Sequence, residues 1–313
     1  MVKLPKGFVP VTNEAYYEIA WTLKRKLFQR ARREGRGNLC RAVRIFRRLD
    51  LASGVRVEIA TARDAKGASA GEFFTGKSEL VVAERSTARA PSDIIGALGP
   101  ALDNGAIRTT FAPLNYGSLV TEWLLAIADR EFDAIVELGS GWGRNLFDLY
   151  CAGGPNKIPY YAAEFSESGR KITASFARLD RHAPIKPVFF DHRAPALPFL
   201  RKARRALIFS YHSIEQIAEL PARYFDVLAA AAPQVVAVHF EPFGFQIGGD
   251  DPLTNEHRAF IREKKYNTNL LARLGEAEAR GALSTRRLMA NVFAPQPENP
   301  TSIAIWDNQT RRR

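Results

Sequence analysis

The sequence predicts an α/β fold: a doubly wound, seven-stranded, mostly parallel sheet with a mainly helical N-terminal extension. Three observations predict it. After residue 131, short apolar runs alternate with helical segments and turn residues, the pattern of successive βαβ units. The first of these runs, DAIVEL (133–138), feeds straight into a glycine-rich stretch and then a helix. Before residue 131 the apolar spacing is instead mostly helical, and the charge is strongly basic.

Taken in order, Tyr17, Ala20, Leu23, Leu27, Phe28 and Ala31 recur at three- and four-residue spacing and predict a helix from Asn13 to about Glu34, with Thr12 or Asn13 as its cap. Gly35 and Gly37 break it, and Leu39, Val43, Phe46 and Leu49 restart a helix whose other face is arginine. VRVEIATA and SELVVAE read as short strands around the turn KGASAGEFFTGK, and Pro91 to Gly117 reads as a connector into the helix SLVTEWLLAIADR. The remaining strands are YYAAEF (160–165), VFFD (188–191), ALIFSY (206–211), VVAVHF (235–240), RRLMANVFA and TSIAIWDN. Helices are expected at Asn145–Cys151, Ser166–Asp180, Glu215–Ala232 and Thr268–Arg280. This divides the chain into a basic extension, 1–110, a possible substrate cover, and an α/β domain, 111–313. No internal repeat occurs.

Composition narrows the classes. An apolar fraction of 46% builds a core and excludes a disordered chain. Apolar runs fall short of the ~18–20 residues of a membrane-spanning helix, and the first residues lack a secretory apolar region, so no membrane contact and a cytoplasmic location are expected. Cys40 and Cys151 are too few for a disulfide framework or a zinc knuckle, and no metal site is expected. The formal charge of +12 is uneven: Lys24 to Arg48 holds eleven Lys or Arg and one acid, Glu34. Such a segment is either a solvated face or a nucleic-acid contact.

The stretch Glu137-Leu-Gly139-Ser140-Gly141-Trp142-Gly143-Arg-Asn145 carries the chemistry. Glycines there leave room for a ligand against the backbone and permit positive φ at a tight strand-to-helix turn, and the helix start offers N–H groups to an anion. The pattern is GxGxG with an acid two residues ahead, not the GxGxxG of a dinucleotide site. It resembles motif I of the class I S-adenosylmethionine (SAM) dependent methyltransferases, a resemblance extending over roughly residues 110–310. The resemblance implies SAM as cofactor, S-adenosylhomocysteine as product, Glu164 with Phe165 at the ribose, Asp191 and His192 at the adenine, and Ser210 at the end of the fourth strand. Glu137 would hold the loop or the ligand's ammonium, Asn145 is a further cofactor-binding candidate, and Tyr116, before the first strand, is expected to touch the cofactor. Trp142 either packs on the ligand or covers the loop; Asp191 has a helix-capping alternative.

Methyl transfer asks the protein to align a nucleophile, take its proton and exclude water. His212, in FSYHSIEQI, is the first choice of base, with His239 and Glu241 as assistants or substrate contacts. Core packing is the alternative for both histidines. Phe243, Phe245, His257 and Tyr266, in the stretch after the fifth strand, are further substrate-side candidates. FSYH stands where base-amino methyltransferases carry NPPY or DPPY, which favours a small-molecule oxygen or nitrogen acceptor. An RNA- or protein-directed enzyme using the Lys24–Arg48 helices, and a SAM-binding module without catalysis, are the alternatives. The oligomeric state is open.

Overall fold

The backbone pairing follows from which strands are apolar on both faces. In the computed structural model of the protein, the described residues are 13–53, 56–60, 81–85, 98–103, 106–111, 116–128, 131–294 and 299–309. Helices α1 (Asn13–Gly35) and α2 (Leu39–Ser53) precede strands β1 (Arg56–Ala60), β2 (Val81–Arg85), β3 (Leu98–Asp103) and β4 (Ala106–Phe111). Helix α3 (Tyr116–Ala128) leads into β5 (Ala134–Leu138), α4 (Arg144–Cys151), β6 (Tyr160–Glu164), α5 (Glu167–Ala177), β7 (Ile185–Phe189) and β8 (Arg205–Tyr211). The chain ends with α6 (Tyr224–Ala229), β9 (Gln234–Glu241), α7 (Gly244–Ile247), α8 (Pro252–Lys264), α9 (Leu270–Ala279), β10 (Ser284–Ala294) and β11 (Thr301–Asp307).

Every residue of β5 is buried, as a central strand covered on both faces requires. It pairs in parallel with β6 and β8, which pair in parallel with β7 and β9. Antiparallel β11 then inserts between β9 and β10. These are the seven strands of the expected doubly wound sheet, in the spatial order β7-β6-β5-β8-β9-β11-β10. The order reverses at β5, so a crevice opens beyond the carboxyl ends of β5 and β8.

Two local expectations need correction, and one covalent link was not foreseen. The connector between Pro91 and Gly117 contains the hairpin β3–β4, which pairs with Phe293 and Ala294 of β10 and extends the sheet to nine strands. Gly, Pro and Asn hid it from an apolar-run reading. The helix read over Glu215–Ala232 is a 3-10 turn at Ile214–Gln216 followed by the short α6, because Pro221 interrupts it. The two cysteines form one disulfide, Cys40–Cys151. The glycine-rich turn read between β1 and β2, residues 66–77, lies outside the described residues; β1 and β2 pair with each other as a separate sheet.

Residue parity divides the core. Ile135, Leu207, Phe209, Val238 and Phe240 face one layer, while Val136, Leu138, Ile208 and Ala237 face the other. The first layer continues outward through Trp142, Phe147 and Phe176 into the N-terminal helices: Phe28 meets Phe176 at 4.7 Å and Phe46 meets Trp142 at 4.9 Å, both edge-on. Beside this aromatic core, Arg47 reaches Asp148 of α4 at 2.9 Å, next to the disulfide that ties α2 to the end of α4. The helical extension is thereby fastened to the helix that follows the glycine loop. Among the described residues no helix is long and apolar enough to cross a membrane.

A bond spanning a sequence separation of 111 restricts the unfolded chain substantially. Reduction of the wild type, or Cys151→Ser, is expected to remove roughly 2–5 kcal/mol of stability. Urea denaturation with and without a dithiol measures it. Equal midpoints for wild type under both conditions would show that the bond contributes nothing.

Candidate active site

A cavity of about 550 Å³ fills the crevice at the strand order reversal, bounded by the glycine loop, the ends of β6, β7 and β8, and the two N-terminal helices. Its size is that of a small-molecule site. Gly139, Gly141 and Gly143 have φ of 67°, 56° and 79°, a left-handed run that turns β5 into α4. Space also demands glycine at the first two: a Cβ on Gly139 would collide with Ser213, and one on Gly141 would lie 2.8 Å from the Trp21 ring. Sequence patterning indicated the turn; only the fold shows what presses on it.

Two buried acids organise the loop. Glu137, the penultimate residue of β5, has Oε1 accepting from Asn145 Nδ2 at 2.6 Å, while its Oε2 is buried without a hydrogen-bond partner. Burial pushes its carboxyl up to about 8, against the lowering effect of the Asn145 bond. Glu164 ends β6 and grips the loop from the side: Oε2 accepts from Gly141 N–H at 2.8 Å and Oε1 from Ser166 N–H at 2.8 Å. Burial raises its pKa, and the Ser166 and Gly141 bonds counter that rise. A carboxylate offers about four lone-pair sites, so Glu164 keeps capacity for further donors.

The other predicted cofactor residues separate by environment. Phe165, Asp191 and His192 all border the cavity. Asp191 lies two residues past β7 and pairs with Arg193 at 2.8 Å; burial would raise its pKa, but the Arg193 bonds bring it below the ordinary value. Arg193 also lies 5.8 Å over the Phe165 ring. His192 Nδ1 meets Tyr224 OH at 2.7 Å, its Nε2 is unpartnered, and burial lowers its pKa to about 4, which keeps it neutral. Ser140 Oγ is also buried without a partner. Trp142 packs among Phe46, Phe147 and Phe176 and also borders the cavity. Ser210 is bonded to His239 in the core and does not line the cavity. Tyr116 opens α3, and its side chain lies outside the described residues.

The three predicted catalytic residues are distributed by strand parity. His212 lines the cavity just beyond β8, with φ 47°, Nδ1 at 3.0 Å from Glu215 and Nε2 at 2.7 Å from Thr301 Oγ1. Burial alone would lower its pKa, but the Glu215 carboxylate, with help from Glu241, raises it above the ordinary value. His239 has the parity of Ala237 and points into the opposite layer, between Ser210 Oγ and Trp306 Nε1, each at 3.0 Å. Burial lowers it to about 3. Glu241 shares that parity and accepts the backbone N–H groups of Ser213, Ile214 and Glu215, so it holds the turn that carries His212. Phe243, Phe245, His257 and Tyr266 do not border this cavity; His257 is buried against Phe245. Among the described residues, no group of three or more His, Cys, Asp or Glu is placed to hold a metal ion.

Sequence reading missed Tyr17 and Trp21 of α1, Arg47 of α2, and Arg144 and Arg193, all of which line the cavity. A signal existed for the first two, since Tyr17, Trp21, Lys24 and Phe28 share one helical face. The Trp21 Nε1 is buried with no hydrogen-bond partner.

No protein-family model matches the chain, and no curated protein matches it in sequence. Among solved structures it is similar to a SAM-dependent methyltransferase from Aquifex aeolicus, with 14% identity, 63% of this chain and 94% of that one covered, and a TM-score of 0.42. It is also similar to magnesium protoporphyrin IX methyltransferase from Synechocystis, at 15% identity, 62% and 82% coverage and a TM-score of 0.41. The plantazolicin methyltransferase aligns at 12% identity, 62% and 85% coverage and a TM-score of 0.41.

The raised Glu137 pKa has a definite sign. The folded state holds this proton more tightly than the unfolded chain, so Glu137 costs stability progressively as pH rises from 4.5 to about 8. Glu137→Gln is expected to melt above wild type at pH 9 and level with it near pH 4. Coincident melting curves at both pH values would refute the assignment.

Proposed function

We propose that the chain is a SAM-dependent methyltransferase acting on an oxygen or nitrogen of a small molecule. One observation carries the reading: a single cavity joins a left-handed glycine loop, a buried Glu137 oxygen with no partner, and Glu164 at the end of the neighbouring strand. These match what the cofactor presents. Glu137 Oε2 suits the ammonium, the remaining lone pairs of Glu164 suit the two ribose hydroxyls, and Phe165, Phe190, Asp191 and His192 border the space for the base. Arg47 and Arg144 bring positive charge for the carboxylate. When bound, SAM supplies an electrophilic methyl group on a sulfonium.

The protein's own part is alignment, dryness and proton removal. Trp21 lies on Gly141 of the glycine loop and, with Tyr17, walls the cavity against water. His212 is the proposed base: with Nδ1–H on Glu215, its Nε2 lone pair accepts from Thr301, and turning that hydroxyl away frees Nε2 to take the acceptor's proton. Glu215 stabilises the imidazolium so formed, and Glu241 fixes the backbone under it. His239, neutral and enclosed, supports the sheet behind Ser210.

Three outcomes are expected. Glu164→Ala loses both loop bonds and the ribose acceptor, and SAM affinity by calorimetry drops at least about tenfold, the value of one charge-assisted bond or more. Turnover rises with pH through an inflection above 6.5, and Glu215→Gln moves that inflection down. An unmoved inflection would remove His212 as base. Labelled methyl transferred from SAM to cell-extract fractions should appear among small molecules; label confined to RNA or protein would displace the small-molecule reading.

A further inference from the structure

We infer that the cleft between α1 and α2 is a docking site for single-stranded RNA, held through its phosphodiester backbone. The cleft, of about 810 Å³, is separate from the proposed cofactor cavity and is bordered by Arg36, Arg41, Arg44 and Arg48, with Asn38 and Glu34. Its charge is a consequence of helical spacing. Leu39, Ala42, Val43 and Phe46 bury one face of α2, which leaves Arg41, Arg44 and Arg48 on the other. Glu34, the single acid at the cleft, is taken by Arg30 at 2.6 Å. Among the described residues Arg36, Arg41 and Arg48 form no ion pair, and Arg44 Nε donates only to the Cys40 carbonyl, at 3.3 Å. Four guanidinium groups thus face one recess with no acid among the described residues left to neutralise them.

Arginine, unlike lysine, offers a planar fork that fits phosphate oxygens in pairs. The forks also stand on a rigid base. The disulfide Cys40–Cys151, the Arg47–Asp148 pair and the buried Phe46 fix α2 on α4, so little order is lost when a ligand arrives. A lipid surface would call for apolar side chains on the exposed face, and a protein partner for an apolar or aromatic centre. The apolar side chain at the cleft, Ile45, is packed against the core, and the large exposed apolar residues among those described, Leu119, Phe189, Ile247 and Leu288, all lie elsewhere. A duplex is read by an element projecting into its groove, whereas the end of α1, the turn after it and the outer face of α2 form an open recess, which suits one strand. Gly35, at the cleft, stands 14 residues along α1 from Trp21, or about 21 Å at 1.5 Å per residue. An RNA strand and a small acceptor can therefore be held at once, and the inference does not depend on methyl transfer.

The test is fluorescence anisotropy with a labelled single-stranded RNA of about twelve nucleotides on the full chain, from 50 to 200 mM salt. Four phosphate contacts give a slope of log affinity against log salt near −3, at about 0.7 per contact. Arg41→Ala with Arg48→Ala should weaken binding at least about tenfold and halve that slope, with melting temperature and SAM affinity unchanged. The inference is overturned if wild type fails to bind the RNA at 50 mM salt, or if the double variant binds equally well. It is also overturned if an acidic peptide or phosphatidylserine vesicles bind at least as tightly. SAM binding absent from both proteins would refute the methyltransferase reading and leave this one intact.

Discussion

The structure depends on a left-handed glycine loop held by a neighbouring carboxylate. Positive φ at Gly139, Gly141 and Gly143 lets the chain leave β5 and enter α4 within a few residues. Left alone, such a turn has many conformations. Glu164 selects one by accepting Gly141 N–H from the adjacent strand end while also accepting Ser166 N–H, which ties the loop to the start of α5. The absence of a Cβ then lets Ser213 close on Gly139 and Trp21 on Gly141, so the cavity floor and its lid are both seated on the same loop. A side chain at either glycine would push one of these walls away.

A second constraint is parity along the strands. Tyr211 and His239 come from neighbouring strands, yet only Tyr211 borders the cavity, because the two have opposite parity in their common sheet. His212 escapes the parity rule by lying one residue past β8 with positive φ, which returns its ring to the cavity wall. That strained backbone is sustained by three N–H groups donating to the buried Glu241. Glu241 and His239 thus act behind the site, the first through hydrogen bonds to a turn and the second through packing and two ring contacts in the opposite layer.

The helical pair α1–α2 is one structural object with three faces. Its aromatic face continues the core through Phe28, Phe46 and Phe176; its leading end places Tyr17 and Trp21 on the cavity wall, Trp21 against Gly141; its outer face is arginine. Arg47 and Arg48 are adjacent in sequence and serve different cavities, since 100° of helical rotation separates them. The disulfide and the Arg47–Asp148 pair make this extension a fixed wall of the site.

The sequence by itself determined the five strands of the βαβ units and the two that follow them, the glycine loop and the acids at the ends of β5 and β6, because apolar periodicity and local turn chemistry are properties of neighbouring residues. It also marked Lys24–Arg48 as the source of the excess charge. Only the tertiary structure decided that β3 and β4 join the sheet, that Cys40 meets Cys151, and that Trp21 and Arg47 complete a cavity with residues more than a hundred positions away. It also decided which way His212 and His239 face, through a single left-handed residue and one step of strand parity. Such contacts are set by the packing of whole layers, and no local pattern encodes the partner across a layer.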